Sequence, residues 1–320
     1  MTNDFTTVDL FCGCGGMSIG FSNAGFNIKL GLDNWQDALN VYKINLKHET
    51  LNIDLSNVNE TLEVIAKHKP SLIIGGPPCQ DFSHAGKRNE NLGRADLTIS
   101  FAEIIKKIKP KFFVMENVER TLNSKRYNKS KEIIKSTGYG LTEKILDASF
   151  YGVPQKRKRL FVVGELNGND NFLDECLGNL ANSERMTVRK YFEKNYDNHL
   201  EFEHYYRHPR NYSRRAIFSI DEPSATIRGV NRPVPPNYKS HAGDSTYQIN
   251  LVKPLTTQQR AMIQTFPEDF IISGNKTVTE QMIGNAVPVK LAESVAKCLI
   301  YYMKGEKEFF QKKENQLTLF

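Results

Sequence analysis

With 320 residues the chain can form one large domain with a sizeable core and a smaller second one, and its 39% hydrophobic and 25% charged residues are ordinary for a globular enzyme. Lys and Arg outnumber Asp and Glu by 43 to 36, a net charge of +7 that suits a polyanionic partner without requiring one. Five scattered cysteines exclude a dense disulfide framework, and no apolar run nears the roughly 18 residues of a membrane span, so a reduced, cytoplasmic chain with no membrane association is expected.

The opening residues, up to Phe11, carry neither the basic stretch nor the apolar stretch of a signal peptide. Residues 7–11 read as a strand, followed by a glycine-rich turn and a helix over 17–24. A second strand over 27–32 leads to a helix over 36–45. Residues 71–74 form a short apolar strand that ends at Gly75-Gly76-Pro77-Pro78. Residues 98–108 place Ile99, Ala102, Ile105 and Ile108 at helical spacing, Pro110 stops that helix, and 111–115 return to a strand. One more strand, over 160–163, opens from a basic turn. Strands alternating with helices predict a parallel, doubly wound α/β sheet.

The pattern changes at residues 166–255, which are polar, aromatic and rich in Arg, Asn, Tyr and Pro. Arg232-Pro-Val-Pro-Pro-Asn-Tyr238 is a stiff, loop-like stretch, and no long periodic helix follows Glu193. A smaller, irregular domain is expected there. Helical character returns at 256–264, with Thr256 or Thr257 as a cap, and at 287–303. Residues 256–320 are therefore expected to rejoin 1–165 in the larger domain.

Five stretches carry chemistry. Asp9-Leu-Phe11-Cys-Gly13-Cys-Gly15-Gly16 joins a strand to a helix through glycines that let a nucleotide or adenosyl group approach the backbone, and Asp33, at the end of the second strand, is placed to accept ribose hydroxyls. The spacing is not that of the dinucleotide fingerprint, because Ser18 occupies its last glycine position. Gly75-Gly76-Pro77-Pro78-Cys79-Gln80-Asp81 presents one cysteine rigidly at the end of a strand, where the other four have no such setting. Glu116, in Met115-Glu116-Asn117-Val118, ends another apolar strand and suits a proton donor if it is partly removed from water. Gln155-Lys-Arg157-Lys-Arg159 enters a strand, where alternation would put Arg157 and Arg159 on one face. Gly284-Asn285 precedes a helix, either as a cap or as an amide directed at a cofactor. Cys12-x-Cys14 lacks a second pair of ligands, so no metal site is expected.

In this order and at this spacing the five stretches resemble the cytosine-5 DNA methyltransferase family, most like the bacterial type II modification enzymes of restriction systems. The resemblance covers residues 5–165 and 256–300 and implies the S-adenosylmethionine-dependent methyltransferase fold. It implies methyl transfer to carbon 5 of a cytosine flipped out of duplex DNA, through a covalent bond between Cys79 and carbon 6. Glu116 would donate to the ring nitrogen N3, Arg159 would neutralise O2, and Arg157 would support the loop or a phosphate. Phe11, Gly13, Gly15, Asp33, Asn34, Asp54, Leu55, Pro78, Leu97 and Asn285 would form the cofactor pocket. Asn34 stands where some members carry a Trp on the adenine, with Trp35 one position later, which leaves that contact open.

Gln80, Ser83, Lys87 and Arg88 would belong to a loop that closes on the flipped base. Residues 166–255 would be the target-recognition domain, with Arg214, Arg215, Arg228 and Arg232 on the DNA and the Thr226-Ile-Arg228-Gly-Val stretch first in line for base contacts. A monomer acting beside a separate cognate restriction endonuclease is implied. Two alternatives stay open at this stage, a tRNA cytosine-5 methyltransferase of the same fold and a catalytically silent DNA-binding regulator.

Overall fold

In the computed structural model, which describes residues 5–78, 96–196, 200–211 and 213–311, most of the alternating elements of the first half lie in a single seven-stranded sheet. Contacts divide the chain into two compact units, one of residues 1–146, 158–181 and 292–320, the other of 147–157 and 182–291.

The first unit holds β1 (Thr6–Leu10), β2 (Asn27–Asp33), β3 (Glu49–Asn52), β4 (Leu72–Gly75), β5 (Phe112–Val118), β6 (Tyr139–Asp147) and, after the short β7 (Gln155–Lys156) of the second unit, β8 (Lys158–Leu166). Their order across the sheet is β3-β2-β1-β4-β5-β8-β6. The strands from β3 to β5 pair in parallel, and β8 runs antiparallel to β5. The chain thus winds outward from β1 through β2 to β3, then restarts at β4 and winds the other way to β5. The order reverses between β1 and β4, and open α/β sheets bind ligands at the carboxyl ends of the strands at such a switch.

Burial explains which strands were readable. All four residues of β4, Leu-Ile-Ile-Gly, are buried, because a central parallel strand is covered on both faces and reads as an unbroken apolar run. The edge strand β3, Glu-Thr-Leu-Asn, is mostly exposed and has no pattern to announce it. Helices α1 (Gly16–Asn23), α2 (Gln36–Asn45), α3 (Val58–Ala66), α4 (Leu97–Ile108) and α5 (Lys125–Lys135) link the strands, and α6 (Asp174–Asn179) follows β8. Val8, Leu30, Ile73, Phe101, Phe113 and Leu160 belong to the continuous core of this sheet. Gly164 faces Phe113 across the β5–β8 pair, and a Cβ there would fall 2.0 Å from the Phe113 ring. The ring lies over bare backbone, so the sheet closes tightly at this point.

The second unit has a three-stranded sheet of β10 (Ile217–Ser219), β9 (His204–Tyr206) and β12 (Lys253–Pro254), and β11 (Ser224–Ala225) pairs with β7. Its helices are α7 (Val188–Asn195), α8 (Thr257–Ile263) and α9 (Lys276–Asn285), and α10 (Val289–Lys304) runs from its last residues into the first unit. Thr256 caps α8, with Gln259 completing a capping box. Polar anchors hold the irregular stretches in place of long helices. Asp244 accepts the N–H groups of Ala216, Ile217 and His241 and the Tyr238 hydroxyl. Burial opposes ionisation of Asp244, yet these four donors keep its carboxyl below the usual carboxylate range. Among the described residues no helix is long and apolar enough to cross a membrane.

Candidate active site

The turn after β1 is built on alternating left-handed residues, Phe11 at φ 60°, Gly13 at 52° and Gly15 at 96°. A Cβ on Gly15 would meet Leu46 Cδ1 at 2.5 Å, so both conformation and space require glycine there. Gly15 also precedes the first residue of α1 and closes the turn by donating its N–H to the Cys12 carbonyl at 2.9 Å. Asp33, at the end of β2, accepts the Gly13 N–H at 2.8 Å on one oxygen and the Trp35 N–H at 2.9 Å on the other. Burial raises the Asp33 carboxyl above its ordinary range, and the same backbone donors oppose that rise. The carboxylate expected to meet a ribose is therefore also what fastens the glycine-rich turn to the neighbouring strand.

The remaining cofactor candidates of this unit follow the same edge of the sheet. Asn34 is exposed and Trp35 half-buried after β2. Asp54 and Leu55 follow β3, the first exposed with its carboxylate on the Ser56 N–H, the second buried. Pro78 is exposed after β4, and Leu97 is the half-buried first residue of α4, next to the capping Asp96. Asn285 is the exposed last residue of α9, in the second unit. Its cap reading does not hold for the following helix, because Asn285 ends α9 and α10 starts only at Val289.

Glu116 and Arg159 meet through strand register. Glu116 opposes Phe161 and Val118 opposes Arg159 in the antiparallel β5–β8 pair, so Glu116 and Arg159 are diagonal neighbours on one face. Their side chains form an ion pair, Nε to Oε1, at 2.8 Å, and both are nearly buried. Burial lowers the Arg159 pKa and the Glu116 carboxylate raises it again, but the guanidinium stays charged. The other oxygen of Glu116 lies 3.2 Å from where a Cβ on Gly76 would be, so glycine lets the chain leaving β4 pass against the carboxylate. One position earlier, a Cβ on Gly75 would fall 2.5 Å from the Leu10 carbonyl of β1. Cys79, Gln80, Ser83, Lys87 and Arg88 lie outside the described residues. The other four cysteines are all buried, and burial pushes the Cys14 thiol up to about 12.

Arg157 does not share a strand with Arg159. It sits between β7 and β8, where the alternation is interrupted, and is 2% exposed. Its guanidinium donates to the carbonyls of Ile227, Gly284 and Ala286, all within the second unit. Of the arginines assigned to DNA, Arg214 and Arg232 are exposed. Arg215 pairs with Glu222 and lies 4.0 Å from the Phe218 ring centroid. Arg228 donates to the His208 carbonyl at 2.5 Å.

Two residues inside the quoted motifs have work that the sequence reading did not assign. The Asn117 side chain donates to the Pro77 carbonyl at 2.9 Å and accepts from Thr121, tying the segment that leads to Cys79 to β5. Its place beside Glu116 was the available signal. Asp9 is buried beneath the glycine-rich turn and accepts the Ser18 hydroxyl at 2.6 Å, and Ser18 accepts from the buried Tyr42. A charged residue inside an apolar strand was the signal there.

Residues 5–301 match the family described as C-5 cytosine-specific DNA methylase. The chain is 54% identical to the Type II methyltransferase M.HindV of Haemophilus influenzae, over 93% of this chain and 97% of that protein. It is 50% identical to the Type II methyltransferase M.HgiDI of Herpetosiphon aurantiacus, over 93% and 94% of the two chains. Among solved structures its fold is similar to the Dnmt2 methyltransferase of S. pombe, with a TM-score of 0.69 at 16% identity over 93% of this chain and 99% of that one. A prophage-encoded DNA modification methyltransferase of E. coli gives a TM-score of 0.68 at 20% identity, over 94% and 99%. Because the family match runs nearly from end to end and two curated relatives are at least 50% identical over most of both chains, the chain belongs to the C-5 cytosine-specific DNA methylase family and is a DNA cytosine-5 methyltransferase.

Proposed function

We propose that the chain transfers the methyl group of S-adenosylmethionine to carbon 5 of a cytosine swung out of a specific duplex DNA sequence, with Cys79 as the attacking nucleophile. The observation that carries this reading is the Glu116–Arg159 pair, held at the end of β5 against Gly76, three residues before Cys79. A pyrimidine whose carbon 6 is attacked needs a proton at N3 and a cation near O2, and this pair offers both on one face.

The sheet edge suits the cofactor. Phe11, Gly13, Gly15, Asp33, Asn34, Asp54, Leu55, Pro78 and Leu97 follow the ends of neighbouring strands or open the next helix, and the proposal adds Asn285. Asp33 can still accept ribose hydroxyls, since each carboxylate oxygen that takes one backbone N–H keeps a second lone pair. S-adenosylmethionine, when bound, supplies an electrophilic methyl group.

The chain's residues do the rest. The Cys79 thiolate forms a bond to carbon 6, and the displaced ring electrons move through carbon 4 onto N3, which takes a proton from Glu116. For this step the Glu116 carboxyl, ion-paired with Arg159 in the free protein, must first take up a proton. Arg159 stabilises the charge that develops at O2. Carbon 5, now an enamine carbon, accepts the methyl group. A base, for which water suffices, removes the carbon 5 proton. The double bond then reforms, the sulfur–carbon bond breaks, and the N3 proton returns to Glu116. None of the four buried cysteines is as well suited, because burial penalises a thiolate.

Residues 166–255 are proposed as the target-recognition domain. Arg214 and Arg232 are exposed for phosphate contacts, and Arg215 and Arg228 are held by Glu222 and the His208 carbonyl. Gln80, Ser83, Lys87 and Arg88 would close over the extruded base, and Arg157 supports the catalytic arrangement indirectly. The proposed setting is the cytoplasm, with the chain acting as a monomer beside a separate restriction endonuclease; the Type II names of the relatives support the modification role.

Duplex DNA synthesised with 5-fluorocytosine tests the chemistry, because fluorine at carbon 5 cannot leave as a proton and the enzyme stays attached. With the methyl donor present, a denaturation-resistant protein–DNA adduct is expected whose linkage maps to Cys79, and Cys79→Ala should form none. Transfer to tRNA in place of duplex DNA, or no adduct at all, refutes the proposal.

A further inference from the structure

Residues 226–231 have no regular secondary structure, yet their main chain is held at almost every peptide. Arg207 donates to the Thr226 carbonyl at 2.8 Å and Arg157 to the Ile227 carbonyl at 3.1 Å. The Ile227 N–H donates to Gln155 Oε1 at 2.8 Å. Arg260 donates to the carbonyl of Arg228 and, at 3.4 Å, to that of Val230. The Asn231 amide donates to the Leu255 carbonyl at 2.8 Å and to Glu280 at 2.9 Å. Helix α9 lies directly against this segment. A Cβ on Gly284 would fall 2.4 Å from the Arg228 and Gly229 backbone, and one on Gly229 would fall 3.0 Å from Gln281 Cα. The side chains of Thr226, Arg228 and Asn231 are fastened as well, to the carbonyls of Lys156, His208 and Leu255, and Ile227 is buried, which leaves the side chain of Val230 41% exposed and that of Arg232, just beyond, open to solvent.

The centre of this clamp is an ion pair between Arg260 of α8 and Glu280 of α9, Nε to Oε2 at 2.5 Å, with side chains only 4% and 2% exposed. Glu280 also accepts the Thr257 hydroxyl at 2.8 Å, which ties the start of α8 to α9. A well-packed apolar pair would join two helices at least as well, because desolvating two charges offsets most of their attraction. An apolar pair could not hold the carbonyls of Arg228 and Val230 in place.

We infer that Arg260 and Glu280 are positioning residues for target discrimination, a buried pair that fixes residues 226–231 as a rigid edge presenting Val230 and the adjacent Arg232 to the bases around the cytosine. The inference rests on the proposed methyl transfer to duplex DNA and adds the device that makes that transfer selective. A loose edge would shift to accommodate a wrong base pair, whereas a fixed edge turns the misfit into lost binding.

The full-length enzyme tests this. Bisulfite sequencing of plasmid DNA methylated by the wild type gives its target, and kcat/KM is then measured on that duplex and on duplexes with one base pair changed. Arg260→Lys keeps the charge but lacks the planar fork that reaches Glu280 and two carbonyls together. Gly229→Ala leaves the ion pair intact and pushes the segment off α9. In both variants the ratio of correct to altered duplex should fall about tenfold, the order expected when one base pair is no longer read. KM for the correct duplex should rise while kcat and S-adenosylmethionine binding stay near wild type. A purely structural role would lower the amount of folded enzyme and leave the ratio unchanged.

If Arg260→Lys folds and keeps the wild-type ratio, the inference is overturned. If that variant does not fold, an unchanged ratio in Gly229→Ala overturns it equally. A wild type that methylates no duplex DNA overturns the functional reading as well, and that result is visible before any variant is compared.

Discussion

Asp9 lies 1% exposed beneath the glycine-rich turn, and burial pushes its carboxyl up to about 7 against the opposing hydrogen bond from Ser18. In the unfolded chain the same group titrates near 3.8. Between those values the folded protein keeps a proton that the unfolded chain has released. Stability therefore falls as pH rises from about 4 to about 7, by at most about 1.4 kcal/mol per pH unit for one proton. Asp9→Asn removes this contribution, and urea midpoints measured from pH 5 to 7 should decline less steeply than in the wild type. Parallel lines for the two proteins would refute the assignment. His48, which faces Tyr42 and whose burial lowers its pKa, contributes with the opposite sign and is common to both proteins. Glu116 belongs to the same scale. Glu116→Gln keeps the shape beside Gly76 but removes the proton donor and the charge facing Arg159. Single-turnover methyl transfer should slow by about 10² to 10⁴, the usual contribution of a general acid, with DNA affinity changed far less. A large loss of affinity at an unchanged rate would assign Glu116 to binding instead.

Among the elements, the β1–β4 junction has the least tolerance. Gly75 is paired with Leu10 on one side and Met115 on the other, and no side chain fits between its backbone and the Leu10 carbonyl. Gly75→Ala should destabilise the protein by about 2 kcal/mol, because strands β1 and β4 must part to admit a methyl group. Gly178→Ala in α6 is the matched control, with nothing within 4 Å of the new Cβ, and should be neutral or stabilising by up to about 1 kcal/mol. Equal midpoints for the two variants in urea would show that the junction can relax. Legibility in the sequence varies from element to element for equally local reasons. Buried β4 and amphipathic α4 were readable because burial on both faces or on one face leaves a pattern. Edge strand β3 leaves none, and α5, Lys-Arg-Tyr-Asn-Lys-Ser-Lys-Glu-Ile-Ile-Lys, carries few apolar residues to set a period. Helix α9 leaves no clear period either, and its Gly284 is required by the chain lying against it.

At the level of the whole molecule, the arginines divide by what surrounds them, which composition cannot express. The surplus of 43 basic over 36 acidic residues points to a polyanion, yet Arg157, Arg207 and Arg260 donate to carbonyls inside the second unit. Arg214 and Arg232 are exposed. Local sequence does not separate the two kinds, because the hydrogen-bond partners of the buried ones are distant along the chain. The sequence by itself determined the family and the doubly wound sheet, because glycine turns, strand-end acids and Pro-Pro-Cys are local motifs. Only the tertiary structure decided that Glu116 meets Arg159, that Asn117 holds Pro77, and that Arg260 and Glu280 clamp residues 226–231. Each of these joins residues brought together by strand register or helix packing, and no local pattern records a contact of that kind.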